Sequence, residues 1–254
     1  MRVSADRTCV RPVRGVGRLP EGTDIVSDQS SPSPVPDLVG ILAQVIAKAG
    51  REAQVCEGLL RVADGARTKE GNLDYDLYRD RDRPWAFYVL ANWANQEAVD
   101  AHVDSTYVRE FLEAHTETDL AAPPTRINAR MLSRPNADTG RRRPEPNSGQ
   151  LTFFPFFNVR PDGLDTVQQA LLGAVDSTRT DEGCLDYDLY QVADDPTTLF
   201  YRETWTGKPA LDEHMNTPVF YDVVRGQVDP RLSVPWSGLS MTMVSAPGAI
   251  RVPG

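Results

Sequence analysis

The chain has 254 residues, with 27 Lys and Arg against 36 Asp and Glu, for a formal net charge of −9. Hydrophobic residues make up 40% of it, which is enough to build a packed core and excludes wholesale disorder. The acidic balance disfavours nucleic-acid binding, and no apolar stretch approaches the ~20 residues of a membrane span.

The three cysteines, Cys9, Cys56 and Cys184, are an odd and widely spaced set. They favour neither a disulfide framework nor a zinc module, so we expect a reducing, cytoplasmic compartment. Residues 1–37 contain scattered Arg and a Ser/Pro-rich end without the apolar core of a secretory signal, which predicts a disordered or loosely packed tail. Residues 134–149 have the composition of a linker.

The two remaining segments, residues 38–133 and 150–254, are copies of each other. The sequence EGNLDYDLY at residues 70–78 returns as EGCLDYDLY at residues 182–190. The same ungapped spacing carries Trp93 to Trp205 and His102 to His214. Such a match indicates a duplicated domain of roughly a hundred residues.

Each copy begins with a predicted strand, over residues 39–47 and 151–159. A helix follows, because apolar residues recur at intervals of three and four on one face. These residues are Val55, Leu59 and Val62 in copy one and Leu164, Val167, Leu171 and Val175 in copy two. We expect the glycine of the Glu-Gly pair, Gly71 or Gly183, to end this helix as its C′ residue.

The Leu-Asp-Tyr-Asp-Leu-Tyr run alternates with a period of two, which predicts a half-buried strand. A proline turn leads to a third strand ending at Trp93 or Trp205. The next helix carries His102 or His214, with Asn95 and Thr206 as its predicted N-caps. A fourth strand closes each copy, near residues 126–132 and 240–244.

This order of elements is that of the split βαβ, or ferredoxin-like, motif, so the predicted fold class is α+β. One such sheet carries helices on one face, and its other face needs a partner, which the duplication supplies as an intramolecular α+β barrel. Phe153, Phe154, Phe156 and Phe157 occupy both faces of their strand, so at least two should point between the sheets, where they could wall a pocket. Exposed strand edges would allow a homodimer.

The repeat resembles a known family. The pattern EGCLxYxL, followed by ETW at residues 203–205 and LDEHMNTP at residues 211–218, is similar to the antibiotic biosynthesis monooxygenase (ABM) domain. The resemblance implies barrels of paired ferredoxin-like units. It also implies small oxygenases that act on quinols and polyketide anthrones without a metal or tightly bound cofactor, and relatives that degrade haem. Tandem copies of this length are similar to angucycline B-ring-opening oxygenases, which implies reduced flavin or a hydroquinone substrate.

The two copies differ in ways that bear on activity. Quinol-oxidising members often have a second His after Thr-Pro, where this chain has Val219 and Phe220. Copy one has Ala91 in the position of Glu203. Only copy two offers Asn158, matching the strand Asn that haem-degrading members pair with a helix His. We therefore expect the pocket of copy two to keep the chemistry and copy one mainly to complete the barrel.

An oxygenase needs a metal, a flavin or a substrate that is itself a good reductant. The three His residues form no local facial ligand set, and no GxGxxG follows a strand. The aspartate pairs at positions 74 and 76 and at 186 and 188 are more typical of the solvated side of an alternating strand than of metal ligands. We therefore expect an electron-rich phenol or hydroquinone as substrate, or a reduced flavin (FADH2 or FMNH2) as a diffusible cosubstrate supplied by a flavin reductase.

The predicted catalytic residues are His214, Trp205 and Asn158. His214 is the best base or donor, because imidazole titrates near neutral pH, although a structural helix His fits the pattern equally well. Trp205 could stack a planar substrate, although a core aromatic is the more common role. The predicted substrate-binding residues are Phe154, Phe156, Tyr187, Tyr201, Phe220, Trp93 and His102.

The leading hypothesis is an oxygenase that hydroxylates or opens a ring of a polycyclic aromatic polyketide, using O2 without a metal. Haem degradation is an alternative within the enzymes. A third interpretation is a non-catalytic aromatic-ligand binder or cyclase-like partner, because a fold does not fix a function.

Overall fold

The computed structural model describes residues 38–134 and 148–245, so the predicted tail and most of the predicted linker lie outside the described residues. Copy one follows the predicted order, with its second helical region divided in two. Its elements are β1 (Val39–Ile46), α1 (Glu52–Arg67), β2 (Asn72–Asp80), β3 (Ala86–Trp93), α2 (Gln96–Val103), α3 (Thr106–His115) and β4 (Thr125–Met131).

Copy two repeats this order with one local change. Its elements are β5 (Leu151–Asn158), α4 (Leu164–Thr178), β6 (Cys184–Val192), β7 (Thr198–Trp205), α5 (Lys208–His214), α6 (Pro218–Phe220) and β8 (Ser237–Met243). The short α6 continues into a π-helix, Tyr221–Val228, where copy one has the regular helix α3. π-Helical turns are rare and are frequent at functional sites.

The eight strands form one closed antiparallel barrel in the order β1-β3-β2-β8-β5-β7-β6-β4. Each copy contributes the strand order of a ferredoxin-like unit, which confirms the predicted tandem α+β fold. The last strand of each copy pairs with the second strand of the other, so that Tyr78 lies opposite Met243 and Met131 opposite Tyr190. Closure leaves no free edge among these eight strands, so the exposed edge that we predicted for a homodimer is not present in them.

The alternation of side chains along each strand produces three cores. In β7, Tyr201 and Trp205 face the helices of copy two, whereas Phe200 faces the barrel interior. The predicted apolar faces of the first helix of each copy are confirmed, since Val55 and Val167 are fully buried. No helix in the two described segments is both long and apolar enough to cross a bilayer.

Two predicted helix ends are wrong. α1 and α4 end at Arg67 and Thr178, and the following glycines lie instead in the turns before β2 and β6, at φ values of 77° and 78°. A Cβ on Gly183 would lie only 2.6 Å from the Cβ of Ala210, so the turn has no space for a side chain.

One predicted N-cap is confirmed and the other is wrong. The side chain of Asn95 accepts a hydrogen bond from the Ala98 amide. Thr206 does not cap α5, because Gly207 occupies the N-cap position and no side chain bonds to the first turn.

The aspartates predicted to lie on a solvated face are buried or, for Asp186, largely buried, because that face of β2 and β6 turns into the closed barrel. Asp74, Asp76, Asp186 and Asp188 surround the guanidinium of Arg202, whose Nη2 donates to Asp188 Oδ2 at 2.6 Å. Arg67 and Arg179 bind the outer oxygens of Asp76 and Asp188. Burial raises the pKa of Asp186 to about 7, so this carboxyl takes up a proton as the pH falls through neutrality.

Candidate active site

An aromatic pocket lies in copy two, between the outer face of its sheet and the helices that cover it. We predicted a pocket between the two sheets, whereas within residues 38–134 and 148–245 the aromatic pocket lies outside the barrel. The space between the sheets is filled by the ionic network and by apolar side chains such as Leu90 and Phe154. The residues that line the pocket are Phe153, Pro155, Phe157, Tyr187, Tyr201, Glu203, Leu211, His214, Met215, Phe220, Val224 and Trp236.

The sheet supplies one wall of the pocket. Phe153 and Phe157 extend from β5 on the side of the helices, and Tyr187 and Tyr201 follow on β6 and β7, with ring centroids 4.4 Å apart. Gly238 on the neighbouring β8 makes room for this wall, because a Cβ there would overlap the Phe153 ring. The π-helix contributes Val224 to the opposite wall.

The pocket is narrow. The empty space inside it is about 330 Å³, part of which is open to solvent. A polycyclic ligand therefore requires movement of the half-buried residues Met215, Phe220 or Trp236. Trp236 also lines an adjacent surface pocket next to Arg225, so displacing its indole would join the two spaces.

His214 is buried in the pocket wall as one member of a His–Asp pair. Its Nδ1 lies 2.8 Å from Asp181 Oδ2, and its ring stacks on Trp205 with centroids 4.7 Å apart. Burial lowers the pKa of His214 below 6.5, and this effect exceeds the opposing effect of Asp181. At neutral pH the imidazole is therefore uncharged, and donation from Nδ1 to the carboxylate leaves Nε2 able to accept a proton.

Glu203 is the one acidic residue among those that line the pocket. Its side chain is 5% exposed and accepts a hydrogen bond from Trp205 Nε1 at 3.3 Å. Burial raises the pKa of Glu203 to about 8, although hydrogen bonds with Trp205 and Tyr187 act in the opposite direction. The carboxyl is therefore protonated at neutral pH.

Copy one has no matching arrangement. His102 stacks on Trp93 as His214 does on Trp205, but its Nδ1 pairs with the hydroxyl of Tyr107 at 2.9 Å. Lys69 stands in the position of Asp181 and Ala91 in that of Glu203. Burial and nearby cations lower the pKa of His102 to about 4. The acid and the carboxylate partner of the histidine are therefore both missing from the matching positions of copy one.

The structure brings together only part of the predicted site. His214, Tyr187, Tyr201 and Phe220 line the pocket. Trp205 is fully buried behind it and contacts His214 and Glu203. The other five predicted residues lie away from the pocket, three of them on the barrel side of β5 and two in copy one. The former are Phe154, Phe156 and Asn158, and the latter are Trp93 and His102.

The position of Asn158 separates it from His214. Its side chain accepts a hydrogen bond from Thr198 at 3.1 Å, on the face of β5 opposite the pocket. The Asn–His pair implied by the haem-degrading relatives is therefore not assembled. Among the described residues, no three His, Cys, Asp or Glu side chains are grouped so as to hold a metal ion.

Sequence reasoning missed several pocket residues. Glu203 follows Tyr201 and precedes Trp205 at intervals of two, so the period of the strand could have placed its carboxyl against the helices. The same parity assigns Phe153 and Phe157 to the pocket side. No local pattern indicates Asp181 or Trp236, which reach the pocket through tertiary contacts.

Comparison with known proteins identifies the family of the chain. The antibiotic biosynthesis monooxygenase family matches residues 38–114 and 155–226, together more than half of the chain. Rv0793 of Mycobacterium tuberculosis, a candidate monooxygenase, is 34% identical over 79 residues, which cover 31% of this chain and 76% of that protein. The uncharacterised protein sll1783 of Synechocystis is 27% identical over 71 residues, covering 28% of this chain and 48% of its own length.

Solved structures of similar size share the whole fold. A candidate monooxygenase from Fusobacterium nucleatum superposes with a TM-score of 0.70 at 11% identity, covering 84% of this chain and 94% of that one. An anthrone oxidase-like protein superposes with a TM-score of 0.62 at 15% identity, covering 82% of this chain and 92% of that one. At these identities the likeness concerns the fold alone.

Proposed function

The chain belongs to the antibiotic biosynthesis monooxygenase family, and on this premise we propose that it is an oxygenase of electron-rich polycyclic phenols, such as aromatic polyketides of the anthrone or hydroquinone type. The observation that carries this proposal is the aromatic pocket of copy two, in which the uncharged His214 is held by Asp181.

In this proposal the substrate is the reductant. Phe153, Phe157, Tyr187 and Tyr201 offer flat apolar surface to a ring system and exclude water from it. His214 removes a proton from the bound substrate, and the resulting anion gives electrons to O2 far more readily than the neutral phenol does. Asp181 stabilises the imidazolium that forms, so the pair works as a general base with a fixed tautomer.

A reduced flavin is the alternative source of electrons, and the resemblance to angucycline ring-opening oxygenases implies either a flavin or a hydroquinone substrate. The narrow pocket fits one flat ring system more readily than two, which favours the substrate as electron donor. Where flavin takes part, a flavin reductase would be the partner that supplies it. We propose no tightly bound cofactor and no metal.

The test is oxygen uptake by the purified full chain with an anthrone and with a phenolic tetracycle, each with and without a reduced-flavin supply. We expect uptake above the rate without protein, and one atom of labelled dioxygen in the product. Uptake only with flavin would identify flavin as the electron source. Binding of these ligands without uptake in any mixture would contradict the oxygenase and support the non-catalytic binder.

A further inference from the structure

We infer that Glu203 acts in the pocket as a neutral carboxylic acid, donating its proton to the peroxide that forms when the substrate anion reacts with O2. This inference rests on the proposed oxygenase function and adds an acid to the base already described. Glu203 is thereby assigned as a second catalytic residue, whose position beside the substrate follows from its place in the pocket wall.

The first argument is burial without a cation. Glu203 is 5% exposed and has no ion-pair partner within the described segments of the chain. The polar groups around it are Trp205, Tyr187, Tyr201 and His214, none of which carries a positive charge at neutral pH while His214 is unprotonated. An ionised carboxylate is costly in such surroundings, so the acid form prevails.

The second argument is the contrast between the copies. Copy one has Ala91 at the matching place in β3, where it packs among apolar residues, so the sheet needs no carboxyl there for folding. Copy two has a buried acid at this position, although burial of a carboxyl is energetically unfavourable, and the aromatic pocket lies in the same copy. A buried acid confined to the copy with the pocket points to chemistry rather than to packing.

The proton transfers balance for oxidation of a CH2 group to a ketone. His214 takes one C–H proton, and the carbanion forms a C–O bond with O2 to give a peroxide anion. The O–H bond of Glu203 breaks, and its proton passes to the outer peroxide oxygen. The Glu203 carboxylate then takes the second C–H proton as the O–O bond breaks and the ketone forms. The departing hydroxide takes the proton from His214 and leaves as water, so CH2 and O2 become C=O and H2O.

The variant Glu203→Gln tests whether Glu203 donates a proton, because glutamine keeps the shape of the side chain but cannot transfer a proton. Because the pKa of Glu203 is about 8, kcat/KM of the wild-type protein should fall as pH rises through that value. In the variant we expect a loss of roughly 10²-fold at neutral pH, disappearance of this alkaline limb, and release of hydrogen peroxide. The other titratable groups that face Glu203 do not explain a fall in kcat/KM near pH 8. Burial raises the pKa values of Tyr187 and Tyr201 well above 10 and lowers the pKa of His214.

The exposed Glu113 in copy one supplies the matched control, and Glu113→Gln should behave as the wild-type protein. Infrared spectra provide a readout independent of activity. The wild-type protein should show a protonated-carboxyl band that titrates near pH 8, and this component should be absent from Glu203→Gln, in which only the Asp186 component, titrating near pH 7, remains. Absence from the wild-type protein of the band that titrates near pH 8 overturns the inference, and so does an active Glu203→Gln variant with an unchanged pH profile. Lack of oxygen uptake by a wild-type protein that does show the band contradicts the proposed function instead.

Discussion

At the scale of single residues, the His214–Asp181 pair is the feature on which the proposed chemistry depends. The carboxylate fixes the protonated nitrogen and stabilises the imidazolium, and both effects require a charged oxygen at 2.8 Å. Asp181 also raises the pKa of His214, against the stronger effect of burial. Loss of the charge of Asp181 should therefore both slow proton removal by His214 and lower the pKa of its imidazole.

We expect Asp181→Asn to lower kcat/KM by roughly 10²-fold, within the range of general-base effects. The acid limb of the pH profile should move to lower pH, because the imidazole loses the partner that raises its pKa. The pH dependence of oxygen uptake measures both effects. Asp82→Asn, an exposed change in copy one, is the control. An acid limb that stays in place would argue against His214 as the base.

At the scale of elements, the two copies differ most in the second half of their second helical region, where copy one has α3 and copy two has the π-helix. In copy one, Tyr107 near the start of α3 reaches back to His102. In copy two, Val219 stands in that position, and the chain continues as a π-helix that carries Val224 to the pocket. In both copies Nδ1 of the histidine has a partner, which is the Tyr107 hydroxyl in copy one and the Asp181 carboxylate in copy two.

The substitution Val219→Tyr introduces the copy-one side chain into copy two, next to Phe220 of the pocket wall. We expect the new hydroxyl to bond to His214 or to fill the mouth, which would raise KM at least tenfold while leaving the melting temperature within a few degrees of the wild type. Ligand titration and thermal unfolding check this. Val219→Phe tests whether bulk or the hydroxyl is responsible, and unchanged substrate affinity in both variants would show that position 219 lies clear of the bound ligand.

Much of this element-level organisation could be predicted from the sequence. The repeat and the period of two in its strands predict the barrel, because the side chains that must be buried determine the register of each strand. The site was predicted less completely. His214, Tyr187 and Tyr201 follow from the motif, but Phe154 and Phe156 have the wrong parity for a pocket on the helix side.

The errors share a physical origin. The alternation of polar and apolar residues shows that a strand has two different faces. It does not show whether other parts of the protein cover the polar face. Here the face that carries Asp74 and Asp188 turns into a closed barrel and holds ion pairs instead of water. Asp181 and Trp236 were not predictable, because the turn before β6 and the segment before β8 meet the pocket only through the tertiary fold.

At the scale of the whole molecule, the ionic network joins the two copies inside the barrel. Arg202 of copy two lies 3.6 Å from Asp74 of copy one, and both side chains are buried. Its equivalent in copy one is Leu90, so Arg202 is the cation that the carboxylates of both copies share, whereas Arg67 and Arg179 bind Asp76 and Asp188 from the outside. The barrel interior therefore depends on Arg202 for charge balance.

We expect Arg202→Leu to destabilise the fold by about 3–5 kcal/mol, because it leaves buried carboxylates without their shared cation. Urea unfolding measures the change. Arg225→Leu, which breaks an exposed pair with Asp229, should cost less than about 1 kcal/mol. Equal costs for the two variants would show that the buried network contributes little.

The proton on Asp186 gives a further whole-molecule effect. Its pKa is about 7 in the folded chain and lower in the unfolded chain, so the folded state binds more protons between about pH 4 and pH 7. Stability should therefore fall as pH rises through this window and then level off. Asp186→Asn should flatten this part of the dependence in urea unfolding at several pH values. A slope identical to that of the wild type would contradict the assignment.

The central claim is that copy two alone carries the chemistry, and the most direct measurement compares two matched variants in the oxygen-uptake assay. His214→Ala and His102→Ala remove the same side chain from equivalent places against Trp205 and Trp93. We predict a loss of at least ~10²-fold in kcat/KM for His214→Ala and less than about twofold for His102→Ala. Equal losses in the two variants, or an active His214→Ala variant, would contradict the account.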